Sequence, residues 1–189
     1  MIYSIYGYGK GKTTASVGLA IRALANDDSV TFVQFLKDGN SSEVEVLKKL
    51  GAVCMSTETD GFNYDTTTED ACWYLANYVQ SYTPDLLILD EILVAYDLGY
   101  VTLQQLEEIV GNCIANNIDL CMTGRVDCKN KRKEINRLSD IVTNSYAIAH
   151  WYNKQCPKCH QEFNHYYRYC PNCGVELKGG EEPKKGRDF

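Results

Sequence analysis

The chain has 189 residues, 44% of them hydrophobic, a formal net charge of −6 and nine cysteines. That length suits one core domain of ordinary size with a small appendage. The acidic balance argues against nonspecific nucleic-acid binding, which needs a cationic surface, and no apolar run is long enough to span a bilayer.

The N-terminus opens on IYSIY, an apolar, β-branched and aromatic run that predicts a buried strand. GYGKGKTT follows at residues 7–14, and from Thr13 the sequence TTASVGLAIRALAN predicts a helix with Val17, Ile21 and Leu24 on one apolar stripe. VTFVQF (30–35) predicts a second strand, KDGNSS a loop, SEVEVLKKLG a short helix closed by Gly51, and AVCMS a short strand. TETDGFNYDTTTED is a polar loop with two aromatics, and helical sequence resumes at EDACWYLANYVQSY. DLLILDE (85–91) is a near-continuous apolar run ending in two acids, the mark of a strand buried on both faces of a parallel sheet. TLQQLEEIVGNCIANN predicts a helix, IDLCMT another buried strand and TGR the loop at its end. Strands alternating with helices imply an α/β fold with a mainly parallel sheet.

An N-terminus that enters a strand at once leaves no place for a signal peptide, and the odd cysteine count fits reduced thiols, so the expected location is cytoplasmic. Near Gln155 the composition shifts towards tyrosine, histidine and cysteine, which sets the expected organisation: a nucleotide-binding domain over 1–154, a small domain over 155–178 and a polar tail over 179–189.

Strand, glycine-rich loop and helix in that order are what a phosphate-binding loop requires. Gly7, Gly9 and Gly11 let the backbone approach an anion, and the helix start presents free N–H groups to it. Lys12 is placed to contact phosphate, and the Thr13 hydroxyl to ligate a magnesium ion shared with the phosphates. The usual pattern G-x-x-x-x-G-K-[ST] has one more glycine, six residues before the lysine; Tyr6 stands there instead. In a parallel sheet the loop, QFLKDG, LDE and TGR all fall at strand carboxyl ends and converge on one crevice. Asp90 and Glu91 are then expected to serve magnesium, rather than cap a turn. Arg125 is either a phosphate or carboxylate contact or a surface cation.

The spacing C-x2-C-x10-C-x2-C, formed by Cys156, Cys159, Cys170 and Cys173, supplies four thiolates in two knuckles and predicts a structural zinc ribbon. A redox pair or an iron–sulfur site fits this short symmetric spacing less well. His160 and His165, inside the loop between the knuckles, are read as surface residues.

Together these segments resemble the P-loop type of ATP:corrinoid adenosyltransferase. That family carries G-N-G-K-G-K-T-T, V-Q-F with a nearby lysine, G-F-x-W, L-D-E, T-G-R and L-A-D-x-V-x-E in this order. Here the matching segments are GYGKGKTT, VQFLK (33–37), GFNY (61–64), LDE (89–91), TGR (123–125) and LSDIVTN (138–144), with GRDF at the end of the chain. The match spans roughly four-fifths of the chain. The resemblance implies a P-loop NTPase (RecA-like) fold and transfer of the 5′-deoxyadenosyl group of ATP to the cobalt(I) of a corrinoid, with release of triphosphate. It implies that Gly7, Tyr8, Gly9, Lys10, Gly11, Lys12, Thr13 and Thr14 hold the triphosphate, and that Thr13 and Glu91 ligate Mg2+. It places Arg22 near the nucleoside, and Phe62 and Tyr64 against the lower face of the corrinoid. The expected partners are ATP, the corrinoid, an electron-donor protein such as a flavoprotein, and a second copy of the chain in a homodimer. Tyr8 stands where the family has asparagine and Tyr64 where it has tryptophan; two cations of an R-P-V-K-H segment are lost at 146–150, and an F-D-A-G segment is absent. Two other readings compete: a zinc-containing nucleoside kinase of the thymidine kinase type, and a non-catalytic nucleotide or corrinoid sensor.

Overall fold

A computed structural model describes residues 1–57, 68–146, 154–155, 158–159, 162–163 and 173. The chain divides into two units, Met1–Tyr146 and Ala147–Phe189.

The first unit is built on six parallel strands: β1 (Ile2–Tyr6), β2 (Val30–Gln34), β3 (Val53–Ser56), β4 (Leu86–Asp90), β5 (Asp119–Gly124) and β6 (Ile141–Asn144), in the order β3-β2-β4-β5-β1-β6. Between them lie the helices α1 (Lys12–Leu24), α2 (Ser42–Lys49), α3 (Thr68–Tyr78), α4 (Ile92–Leu98), α5 (Leu103–Ala115) and α6 (Lys129–Leu138). The α/β fold expected from the alternation of elements is the one found. Because every pairing in this sheet is parallel, all six carboxyl ends lie along one edge.

Alternation along the strands sorts the core into two layers. Val30, Phe32, Leu86, Ile88 and Cys121 pack with Ala20 of α1 and with Val44 and Leu47 of α2. Val33, Leu87, Leu89, Leu120 and Met122 pack on the other face with residues of α3, α4, α5 and α6, among them Leu75, Leu93, Leu106 and Ile135. The run Leu86–Asp90 is buried at every position, so an apolar run without alternation is what β4 needs in a sheet covered on both sides.

The sheet-facing side of α1 corrects the expected stripe. Ile21 is 43% exposed, and the buried positions are Ser16 and Ala20, flanked by half-buried Val17, Leu19, Ala23 and Leu24. Small residues at the contact bring the helix axis close to the sheet, and that displaces the larger apolar side chains to its flanks. Two helices carry no clear apolar period in sequence: α4 is seven residues long, and α6 (KNKRKEINRL) buries Ile135 alone. The start of α5 is better marked, with a capping box between Thr102 and Gln105.

In the second unit the described strands are β7 (Lys154–Gln155) and β8 (Glu162–Phe163), an antiparallel pair on either side of the first cysteine knuckle.

Candidate active site

The glycine–lysine loop leaves β1 and enters α1 at the carboxyl edge of the sheet. Its glycines have distinct causes. A Cβ at Gly7 would lie 2.4 Å from both Asn144 Oδ1 and the Ser145 carbonyl, and Gly7 has φ 116°. One at Gly9 would lie 2.9 Å from the backbone of Ser145 and of Tyr146. The segment after β6 runs tightly along the loop: the Ser145 amide donates to the Tyr6 carbonyl at 2.7 Å, and the Gly9 amide to the Ser145 carbonyl at 2.8 Å. Gly11 caps α1 in the left-handed region at φ 95°. Tyr6 belongs to the strand, buried, with its hydroxyl donating to Asn136 Oδ1 at 3.0 Å. A tyrosine there fills the core where a glycine would leave a void.

Lys12, Thr13 and the two acids at the end of β4, Asp90 and Glu91, come together. Asp90 is fully buried, and its carboxylate is the hub of the cluster. Oδ1 accepts from Thr13 Oγ1 at 2.9 Å and from Thr123 Oγ1 at 2.7 Å. Oδ2 is paired with Lys37 Nζ at 2.6 Å and accepts more weakly from Gln34 Nε2 at 3.4 Å. One carboxylate thereby ties the loop to β2, β4 and β5. Glu91, the next residue, is half-buried and left-handed at φ 63°, a conformation that costs a non-glycine residue of the order of 1–3 kcal/mol. The turn passes β4 directly into α4, and the Glu91 amide donates to Thr123 Oγ1 at 3.1 Å. Burial, reinforced by the Asp90 charge, pushes the Glu91 carboxyl above the usual range, against the pull of Lys37, Lys12 and Arg125. Burial lowers the Lys12 ammonium, whose Nζ donates to the Gly9 carbonyl at 2.8 Å. A helix start, a half-buried ammonium and a pair of adjacent carboxylates with a hydroxyl beside them form a set suited to an anion chelated with a hard cation.

Lys10 of the loop and Thr14 of the first turn of α1 are exposed. Tyr8 reaches across to the β5–α6 connection: its hydroxyl donates to Asp127 Oδ1, and the Arg125 guanidinium sits over its ring, 5.8 Å from the centroid. Arg22 stands apart, exposed in the last turn of α1 and roughly 15 Å along the helix axis from Lys12 at the usual rise per residue. Phe62, Tyr64, Cys156 and Cys170 lie outside the described residues; Cys159 and Cys173 are half-buried. Among the described residues no group of three or more His, Cys, Asp and Glu is arranged to hold a metal ion. The central part played by Asp90, and those of Lys37, Gln34 and Thr123, do not follow from the motifs; what was visible was a buried acid ending β4 and a lysine three residues after β2.

The family model for ATP:corrinoid adenosyltransferase BtuR/CobO/CobP matches residues 1–160. The corrinoid adenosyltransferase of Escherichia coli K12 is 30% identical over 154 residues, covering 76% of this chain and 75% of its own length. Corrinoid adenosyltransferase CobA of Salmonella typhimurium matches with the same identity and the same coverage, 30%, 76% and 75%. The corrinoid adenosyltransferase of a Sinorhizobium species is 26% identical over 155 residues, 76% of this chain and 71% of its own. Among solved structures, the flagellar accessory protein FlaH of Methanocaldococcus jannaschii shares the fold, with a TM-score of 0.56 at 15% identity over 76% of this chain and 70% of that one.

Proposed function

Since the chain belongs to the ATP:corrinoid adenosyltransferase family and catalyses ATP-dependent adenosyl transfer to a corrinoid, we propose that the cluster around Lys12, Thr13, Asp90 and Glu91 is where the triphosphate of ATP is held and released. The reading rests on one observation above the others: the buried carboxylate of Asp90, the residue before Glu91, fixes the Thr13 hydroxyl at the foot of the glycine–lysine loop. The nucleoside kinase and sensor readings are not favoured by the relatives.

In the reaction the family implies, the cobalt(I) electron pair attacks C5′ of ATP. The cobalt–carbon bond forms as the C5′–O bond breaks, and the whole triphosphate leaves with the electrons of that bond. No water needs activation. What the protein must supply is orientation and neutralisation of the departing charge. Gly7 to Thr14 would hold the triphosphate with backbone N–H groups, and Lys12 would be its principal cation. Thr13 and Glu91 would ligate magnesium: the donors here are all oxygens, which a hard divalent cation takes, and the Thr13 hydroxyl is held in place by the Asp90 carboxylate. When bound, magnesium supplies further neutralisation of the triphosphate. Phe62 and Tyr64 would crowd the lower face of the corrinoid and displace its lower ligand, which eases reduction of cobalt(II). An electron-donor protein and a homodimer complete the proposal.

The second unit we read as a zinc ribbon, with Cys156, Cys159, Cys170 and Cys173 as ligands. The β7–β8 pair bracketing the first knuckle supports this reading.

The test is titration with ATP, followed by turnover with pre-reduced cobalt(I) corrinoid. Lys12→Ala should weaken ATP binding by at least tenfold and slow triphosphate release without lowering the melting temperature. Wild-type ATP affinity in that variant would overturn the assignment of the loop.

A further inference from the structure

Tyr8 is the loop residue with the most unusual surroundings. The residue is 51% exposed, yet both its ring and its hydroxyl are engaged. The hydroxyl is given to the Asp127 carboxylate, and the ring carries the Arg125 guanidinium at 5.8 Å. The short segment that holds these two residues is itself firmly anchored. Asp97 of α4 accepts from the Asp127 amide at 2.9 Å and from the Cys128 amide at 3.3 Å. Arg132 of α6 donates to the carbonyls of Val126 at 2.7 Å and Asp127 at 3.0 Å.

The arrangement separates two charges that would otherwise neutralise each other. Arg125 and Asp127 are two residues apart, both exposed, and both within reach of Tyr8. An arginine paired with a carboxylate spends its planar fork of N–H donors on that partner. An arginine lying over an aromatic ring is held by the quadrupole of the ring and keeps all its donors. Tyr8 does both jobs at once: its ring seats Arg125, and its hydroxyl occupies Asp127. Arg125 is close enough to the loop for its charge to bear on both Lys12 and Glu91.

We propose that Tyr8 is a positioning residue for the departing triphosphate: it holds Arg125 beside the loop with its donors free, and keeps Asp127 from neutralising it. This inference rests on the reading of the loop as a triphosphate site. It makes Arg125 a phosphate contact and assigns the substitution of tyrosine in this loop a purpose, since a residue without an aromatic face cannot seat the guanidinium.

The experiment is calorimetric titration of the full chain with magnesium tripolyphosphate. Tyr8→Phe keeps the ring and frees Asp127 to pair with Arg125. Its affinity should fall about three- to fivefold, the upper part of what an exposed ion pair competing for Arg125 takes away. Adding Asp127→Asn should restore affinity to within about twofold of wild type, because the competing charge is gone while the ring remains. In an Arg125→Met background, Tyr8→Phe should have no further effect. A general packing role for Tyr8 would give neither the rescue nor the dependence on Arg125. Wild-type affinity in Tyr8→Phe, failure of Asp127→Asn to rescue, or an undiminished Tyr8→Phe loss without Arg125 would each overturn the proposal. Lys12→Ala in the same titration keeps the two readings apart. If it leaves tripolyphosphate binding intact, the triphosphate site itself is wrong; if it abolishes binding while Tyr8→Phe is silent, only the role of Tyr8 falls.

Discussion

Asp90 is a charge with no solvent, held by Lys37 on one oxygen and by two threonine hydroxyls on the other. A buried carboxylate of this kind is tolerable only while its partners stay in place. Asp90→Asn keeps the shape but strands the Lys37 ammonium, and replaces an acceptor by an amide donor facing Thr13 and Thr123. It should cost roughly 2–4 kcal/mol in urea unfolding, and the double variant with Lys37→Met should cost less than the single one. A larger loss in the double variant would show that Lys37 stabilises the fold by some other route. This hub also shows where residue-level reading stops. Lys12, Thr13 and Glu91 are legible because they occupy fixed places in short motifs. The set Asp90, Lys37, Gln34 and Thr123 is assembled by the register of β2, β4 and β5, in which Gln34 lies opposite Asp90 and Leu89 opposite Met122. Nothing within a single segment encodes that register. Tyr8 falls between these cases: its place in the loop is plain, but its partners come from a connection more than a hundred positions away.

The elements that build this edge are legible where an apolar run or an amphipathic period is long enough to read. β4 and β5, built on the apolar runs LLIL and LCM, announce themselves; so does α5, amphipathic and capped by Thr102. The helices α4 and α6 do not, because one is a two-turn link and the other buries Ile135 alone. Yet α4 sets the shape of the site. It packs against the end of β5 so closely that a Cβ on Gly124 would lie 2.7 Å from the Val94 nitrogen and 2.8 Å from Leu93 Cβ, at φ 153°. The glycine of TGR is therefore a packing requirement as much as a loop residue. It lets α4 start directly after Glu91 and leaves Arg125 at the edge. Gly124→Ala must push α4 outward or distort the end of β5, at a cost of about 2–4 kcal/mol from overpacking and backbone strain together. We expect a lower urea midpoint with an unchanged slope, and weaker ATP binding as Glu91 shifts. A variant as stable as wild type would mean that α4 moves freely, and that Glu91 owes its placement to Asp90 and Thr123 alone.

At the scale of the whole chain the nine cysteines report on both units, because burial and metal ligation protect thiols for different reasons. Cys72, Cys113 and Cys121 are fully buried in the first unit, and burial pushes their thiols up to about 11, 11 and 12. They are neutral and unreactive at pH 8. Cys128 is exposed and Cys54 half-buried at the sheet edge. The change in composition near Gln155 sets the expected boundary there, whereas the contacts divide the chain after Tyr146. If the knuckle cysteines hold zinc, their thiolates are committed to the metal. A thiol-reactive dye at pH 8 should then label Cys128 fast and Cys54 slowly. Chelation should release Cys156, Cys159, Cys170 and Cys173 together, and one zinc with them. The three core thiols should appear only in denaturant. The pH dependence follows with a definite sign. A thiol raised in the folded state is protonated in both states below the unfolded value of about 8.5, where its full contribution to stability is present. As pH rises from there through about 11 to 12, the unfolded chain gives up protons that the folded chain retains, and stability falls. Chelation should leave that alkaline loss unchanged, since it arises in the first unit. Core thiols that react at pH 8 without denaturant would contradict their burial, and four thiols that react fast before chelation would contradict the zinc ribbon while leaving the fold of the first unit untouched.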